Sequence, residues 1–238
     1  MIKLKDILFE IEIGKDFLTD PNSQMLRLPR TREAYKKFLD SIGREIEPNT
    51  EDEDKLLKAI SAFVNGGGDR SMSWISWHTN DLMALKSKYP KMLDPTSDTG
   101  KYGNKLYRAM NVKADVIREA IQSAGGIQQS NDPKEMLTIP YTGTVKMVMD
   151  AVRNTFSLTF DYDMAAIHLS KYTPYNDYTD SVRCIVETNV QTVNSNLLMA
   201  PSFLNVWAWD ESETWYVGKD PMKCTAIHIP QGTLSQIM

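Results

Sequence analysis

The sequence predicts an α+β protein, in which a helical first part precedes a second part of mixed helices and strands. Apolar residues recur at helical spacing before residue 100, whereas Val- and Ile-rich runs bounded by turn residues dominate after it. Of the 238 residues, 42% are hydrophobic and 24% are charged. This composition is typical of a globular chain and excludes a disordered, collagenous or coiled-coil protein.

Three amphipathic helices are predicted in the first part, at Lys3–Ile13, Arg32–Ile42 and Asp52–Val64. The third begins with several acidic residues, which the helix dipole favours there, and ends at the glycine run 66–68. The segment from Pro90 to Gly103 is rich in turn-forming residues. It is the predicted boundary between a helical region, residues 1–100, and a second domain, residues 101–238.

The second part alternates between the two kinds of element. The predicted strands are Lys105–Met110, Thr155–Phe160, Val182–Val190, Thr214–Val217 and Cys224–Ile229. The predicted helices are Ala114–Ala124, which ends at two glycines, Thr144–Arg153 and Tyr162–Tyr172.

Charge and composition narrow the class of function. The net charge of −4 argues against a protein that binds mainly nucleic-acid phosphates. We expect no membrane segment, because the longest uncharged stretch, Thr188–Trp209, is rich in polar residues. We expect no signal peptide either, since charged residues interrupt the apolar start of the chain. Two cysteines, Cys184 and Cys224, fit a reducing compartment, so the predicted location is cytoplasmic.

Three short motifs in the second part stand in a distinctive order. They are Tyr107-Arg108 on a predicted strand, Ser157-Leu158-Thr159 on a strand that leads into a helix, and Glu211-Ser212-Glu213 just before a later strand. This order resembles the arginine–serine–glutamate class of mono-ADP-ribosyltransferases, which includes toxins and enzymes of T4-like bacteriophages. The resemblance covers residues 104–230, and the middle residue of the second motif, Leu158, departs from the usual Ser-Thr-Ser pattern.

The resemblance implies a domain of two small packed sheets that uses NAD as a substrate and needs no metal. Arg108 would hold the dinucleotide, and the backbone of Ala109 would hold the nicotinamide amide. Ser157 would hydrogen-bond Glu213, with Thr159 supporting the strand edge or the ligand. Glu213 would stabilise the positive charge that develops on the ribose as the glycosidic bond breaks.

The resemblance also implies the acceptor. Members of the class with Glu-x-Glu generally modify arginine, so Glu211 would bind and help to deprotonate the guanidinium of an acceptor protein. Trp207 and Trp209 precede this pair and are open to two interpretations, acceptor contacts or core aromatics. The acceptor itself stays open between a host polymerase subunit, a ribosomal protein, other RNA-associated host machinery and RNA.

Two other functions are compatible with the sequence. One is a non-enzymatic protein, either a virion component or a host-factor-binding protein of a bacteriophage, and the other is an NAD glycohydrolase. A zinc site at Cys224 and His228 is disfavoured because two further ligands are missing from the motif. The oligomeric state is left open, and His78 is interpreted as a packing residue among tryptophans.

Overall fold

The computed structural model describes residues 40, 45–66, 78–146, 156–171, 180–204, 212–218 and 221–237. Within these residues there are eight helices and nine strands. The helices are α1 (Glu51–Gly66), α2 (Thr79–Lys86), α3 (Pro90–Leu93), α4 (Thr99–Tyr102), α5 (Ala114–Ser123), α6 (Tyr162–Lys171), α7 (Val190–Val193) and α8 (Pro201–Leu204). The strands are β1 (Lys105–Lys113), β2 (Met136–Pro140), β3 (Thr144–Val145), β4 (Phe156–Thr159), β5 (Ser181–Asn189), β6 (Leu197–Leu198), β7 (Glu213–Tyr216), β8 (Met222–Lys223) and β9 (Ala226–Pro230).

Two sheets of very different size confirm the α+β class. Seven strands form one sheet in the order β2-β9-β5-β1-β4-β7-β6, and β3 pairs with β8 in a small second sheet. All strand pairs are antiparallel. One sheet is therefore larger than the two small sheets that the sequence led us to expect.

Most of the predicted elements of the second part are confirmed within one or two residues. β1 extends the predicted strand to Lys113, and β4, β5, β7 and β9 cover the others. α5 and α6 match their predicted helices, as does α1 in the first part. Gly125 has a φ of 76°, a left-handed conformation that favours glycine, so α5 ends where the sequence indicates.

The predicted helix Thr144–Arg153 is wrong at its start. Thr144 and Val145 form β3 and pair with Lys223 and Met222. Both residues are β-branched, and Val145 is buried in the main core. Tertiary pairing therefore outweighs the helical spacing here. Residues 147–153 of that prediction lie outside the described residues.

Two predicted helices of the first part cannot be compared with the structure. Lys3–Ile13 lies outside the described residues, and so does Arg32–Ile42 apart from Asp40, which is helical. In the part of the chain that the structure does describe, none of the helices combines the length and apolar character needed to cross a bilayer.

Helices α5 and α6 pack on opposite faces of the large sheet. Strand residues alternate between the faces, so Leu106, Met110 and Val112 of β1 point towards α5 and share a core with its Ile117. The opposite face carries Tyr107, whose ring makes an edge contact with Tyr162 of α6 at 5.3 Å. The two faces thus differ in character, one apolar and one partly polar.

A second core joins the first part of the chain to the edge of the large sheet. It contains residues from both parts of the sequence: Ile46, Leu56, Leu57, Ala59, Ile60, Leu82, Leu85, Tyr89, Met92, Leu93, Leu198, Met199, Ala200, Phe203, Leu204 and Trp215. Trp215 of β7 is fully buried in it. The segment predicted as the domain boundary contributes Met92 and Leu93, while the division into two domains stays a prediction.

Lys86 links helix α2, which contributes to this second core, to the chain next to edge strand β6. It lies at the end of α2 and is only 9% exposed. Its ammonium donates to the backbone carbonyls of Asn194 and Leu197, at 2.8 and 3.0 Å, and to the side-chain oxygen of Asn194 at 2.8 Å. The Asp94 carboxylate lies 3.6 Å away. Burial lowers the pKa of Lys86, and these oxygens compensate for the lost hydration.

We expect Lys86→Met to lower the free energy of unfolding by about 1–3 kcal/mol, because buried carbonyls would lose their donor. Lys88→Met is the matched control. The Lys88 ammonium is 63% exposed and pairs with Asp52 at the surface, so its loss should change stability little. Urea unfolding of both variants measures the difference. Equal stabilities would show that the Lys86 ammonium contributes nothing.

Candidate functional site

Arg108 lies beside a weak seam in the large sheet. β1 pairs with β5 along all nine of its residues but with β4 only through Tyr107 and Thr159. Arg108 bridges this seam, because its Nη1 donates to the Ser157 carbonyl oxygen at 2.6 Å and to Ser157 Oγ at 2.9 Å. Its guanidinium carbon also lies 5.4 Å from the ring centroid of Phe156. The first two sequence motifs are therefore in direct contact.

The third motif lies on the next strand. β4 pairs with β7 so that Thr159 is opposite Glu213 and Ser157 is opposite Trp215. Ser157, Thr159 and Glu213 therefore share one face, and Ser157 and Glu213 are diagonal neighbours with Cα atoms roughly 7–8 Å apart. The hydrogen bond between Ser157 and Glu213 stays a prediction.

Arg108 approaches Ser157 from the other face of the sheet. It alternates along β1 with Tyr107, which shares a face with Thr159. Its contact with Phe156, a member of the main core, fits this direction of approach. Ala109 is half-buried and paired with Ile185. The sequence predicted that these residues form one site, but it did not indicate that their side chains come from both faces of the sheet.

Local backbone contacts hold the ends of β4 and β7 together. The Thr159 hydroxyl accepts from the Asp161 backbone N–H at 3.0 Å, and the Ser212 carbonyl accepts from the Phe160 N–H at 3.0 Å. Ser212 has a φ of 49°, a left-handed conformation that is costly for a residue with a side chain. The strained residue directly precedes Glu213, so the surrounding structure fixes where β7 begins.

Asp161 positions the helix that follows. Its carboxylate accepts from the backbone N–H groups of Asp163 and Met164, at 2.8 and 3.3 Å, and so caps the N-terminus of α6.

Three predicted residues cannot be placed relative to this arrangement. Glu211, Trp207 and Trp209 lie outside the described residues. A cleft of about 290 Å³ lies elsewhere, at the turns flanking β2 and β9, and is lined by Gln129, Ser130, Asn131, Pro133, Gln231, Gly232 and Leu234. None of the predicted site residues lines it.

A buried polar cluster on the α6 face was missed by the sequence analysis. His228 and Glu187 are each 7% exposed, and His228 Nε2 lies 3.3 Å from Glu187 Oε2. Glu187 also pairs with the Lys105 ammonium at 3.1 Å. The rings of Tyr107 and Tyr162 lie 6.3 and 5.3 Å from the imidazole. An acid next to the apolar run Cys184–Val186 of a predicted strand was the one signal for this cluster.

The surroundings of Cys224 argue against the zinc site with His228 that the sequence already disfavoured. The Cys224 thiol is buried, and it donates to the Gly143 carbonyl at 3.5 Å. Burial raises the pKa of Cys224 to about 12, so a thiolate ligand would be costly there. Among the residues that the structure describes, no group of three or more potential metal-ligating side chains occurs.

We expect Asp161→Ala to destabilise the chain by about 0.5–2 kcal/mol, because two backbone N–H groups of α6 would lose their cap. Asp163→Ala is the matched control, since Asp163 lies in the first turn of α6 but is not its cap. Thermal or urea unfolding should rank Asp161→Ala clearly below Asp163→Ala. An identical effect of the two changes would contradict the capping role.

Stability should also depend on pH through His228. Burial lowers the pKa of His228 below its ordinary value of 6.5, in spite of the nearby Glu187 carboxylate. Between the lowered and the ordinary pKa the unfolded chain binds more protons, so the free energy of unfolding should fall as pH drops below about 6.5. His228→Gln should reduce this slope in urea unfolding across pH, whereas His168→Gln should leave it in place.

No family model, curated protein or solved structure matches the chain. The contacts among its own residues are therefore the basis for assigning a function.

Proposed function

We propose that the protein transfers ADP-ribose from NAD⁺ to an arginine side chain of an acceptor protein and releases nicotinamide. One observation carries this proposal. Arg108 hydrogen-bonds Ser157, and Glu213 lies on the strand next to Ser157 and on the same face as its side chain. The three motifs are far apart in the sequence but occupy three adjacent strands, and the proposed dinucleotide site uses both faces of the sheet, because Arg108 reaches Ser157 from the face opposite to Glu213.

Arg108 would bind the phosphates of NAD. A guanidinium stays charged at any physiological pH and presents five donors in a plane, which suits phosphate oxygens. The two contacts of its Nη1 with Ser157 fix the orientation of that plane. Ser157 thus acts on the ligand through Arg108, in addition to its expected bond to Glu213. Ala109, partly exposed on the same strand, is the proposed partner of the nicotinamide amide.

Glu213 would promote cleavage of the bond between ribose and nicotinamide. Breaking this bond builds positive charge on the ribose, and a carboxylate fixed beside the sugar stabilises that charge. Glu213 is half-buried, and its strand is held by pairing with Thr159 and by the Phe160–Ser212 backbone bond. These contacts would keep the carboxylate in place, so little reorganisation accompanies the reaction.

Glu211 would bind the guanidinium of the acceptor arginine and assist its deprotonation. A guanidinium loses a proton only with difficulty, because its pKa is above 12, and a neighbouring carboxylate both binds it and assists deprotonation. The acceptor we propose is a host protein of the cytoplasm, in keeping with modification of a host by a bacteriophage enzyme.

We expect Glu213→Gln to slow nicotinamide release from NAD by about 100- to 1,000-fold, because the substitution keeps the shape but removes the charge. Chromatographic measurement of nicotinamide with purified protein, NAD and an arginine-rich acceptor protein tests this. Glu51→Gln makes the same chemical change at a residue whose side chain is 81% exposed on α1 and should leave the rate unchanged.

Labelled NAD separates the enzymatic alternatives. Arginine transfer places the label on the acceptor protein, whereas an NAD glycohydrolase yields free ADP-ribose. Glu211→Gln should abolish labelling of the acceptor and retain nicotinamide release. If the wild-type chain and Glu213→Gln release nicotinamide equally slowly with a panel of acceptors, the non-enzymatic alternative is correct.

A further inference from the structure

A chain of hydrogen bonds runs from the surface to the buried polar cluster. Thr138 lies on β2, the edge strand of the large sheet, and is exposed. Its Oγ1 lies 3.0 Å from Nδ1 of His228, whose Nε2 lies 3.3 Å from Glu187 Oε2. A hydroxyl, an imidazole and a carboxylate thus occupy three neighbouring strands in that order.

Strand register explains why the hydroxyl reaches the imidazole. Thr138 and His228 are directly opposite each other in the β2–β9 pair. The backbone bonds of Tyr141 with Thr225 and of Gln231 with Glu135 show that odd-numbered β2 residues turn their polar backbone groups towards β9. Thr138 and His228 therefore form a non-hydrogen-bonded pair, in which opposite side chains come closest.

The partners of Glu187 decide which nitrogen of His228 carries the proton. The Glu187 carboxylate accepts from the Lys105 ammonium at 3.1 Å and from the Thr225 hydroxyl at 3.1 Å. An ionised carboxylate only accepts hydrogen bonds, so Nε2 of His228 is the donor to it. Nδ1 is then left with its lone pair and accepts from the Thr138 hydroxyl.

The surroundings of His228 keep the imidazole neutral at pH 7. The groups that face it are Thr138 from β2, Glu187 from β5, Lys105 and Tyr107 from β1, and Tyr162 from α6. Burial lowers the pKa of His228 more than Glu187 raises it. A neutral imidazole held by a carboxylate and aimed at a hydroxyl has the geometry of a general base beside a nucleophile.

We propose that Thr138, His228 and Glu187 form a nucleophilic site that takes an acyl group from an activated carboxylic ester. The Thr138 Oγ would form a bond to the acyl carbon while its proton passes to Nδ1 of His228. The bond between the acyl carbon and the leaving alcohol oxygen would then break, and that oxygen would take the proton from the imidazolium. Glu187 would stabilise the imidazolium in between.

This site is separate from the proposed NAD site. β2 and β7, which carry Thr138 and Glu213, are separated in the sheet by β9, β5, β1 and β4. Variants of Thr138 therefore leave Arg108, Ser157 and Glu213 in place, and the two activities can fail independently.

The test is acetylation of the full chain by p-nitrophenyl acetate at pH 7.5, with the acetylated residue identified by peptide mass spectrometry. Thr144 is the internal control, because it is also an exposed strand threonine but pairs with Lys223 instead of a histidine. We expect Thr138 to be acetylated at least about tenfold faster than Thr144. Thr138→Val should remove this fast reaction and Thr138→Ser should retain it.

His228→Gln should slow acetylation of Thr138 by about 100-fold or more, since general bases contribute on that order. In the wild-type chain the rate should fall with decreasing pH as His228 takes up a proton, at a pH below 6.5. Circular dichroism checks that each variant is folded. Acetylation of Thr138 at the rate of Thr144, or with the same pH profile in folded His228→Gln, would overturn the proposal.

Discussion

The contact between Arg108 and Ser157 is the interaction on which the candidate site depends. β1 and β4 pair through one residue each, so backbone hydrogen bonds alone hold this seam weakly. A charged guanidinium bonded to both the carbonyl and the hydroxyl of Ser157 adds two strong contacts at that point. Because β7 is aligned on β4, the same contact also sets the position of Glu213 relative to β1. The side chain proposed to bind the dinucleotide thus also helps to hold the sheet together.

The sequence predicted the elements of the site well, because each of its strands carries a clear local signal. β4 and β7 are short and contain aromatic and β-branched residues, and β1 carries the apolar residues Leu106, Met110 and Val112 on one face, patterns that predict strands without knowledge of their neighbours. Their pairing order could not be predicted in the same way. Residues that are 52 and 54 positions apart come together through contacts that no local pattern encodes, as the registers of Tyr107 with Thr159 and Thr159 with Glu213 show.

The features that the sequence missed depend on tertiary contacts. Val145 belongs to a strand because the main core buries it opposite Met222, although its local spacing is helical. Glu187 and His228 looked like isolated polar residues in apolar strands, and only the register of β5 and β9 joins them. Their burial is tolerable because Lys105, Thr138 and Thr225 satisfy them, which is a property of the folded chain alone.

Trp215 follows Glu213 by two positions on β7, so the two side chains lie on the same face, and Trp215 is buried against helices α1 to α3. A fragment beginning at residue 101 would lack the residues that helices α1 to α3 contribute to the second core around Trp215. The part of the chain outside the family resemblance is thus a structural support for the carboxylate. Any ligand or protein that displaced those helices would loosen the strand that carries Glu213, at a distance from the glutamate itself.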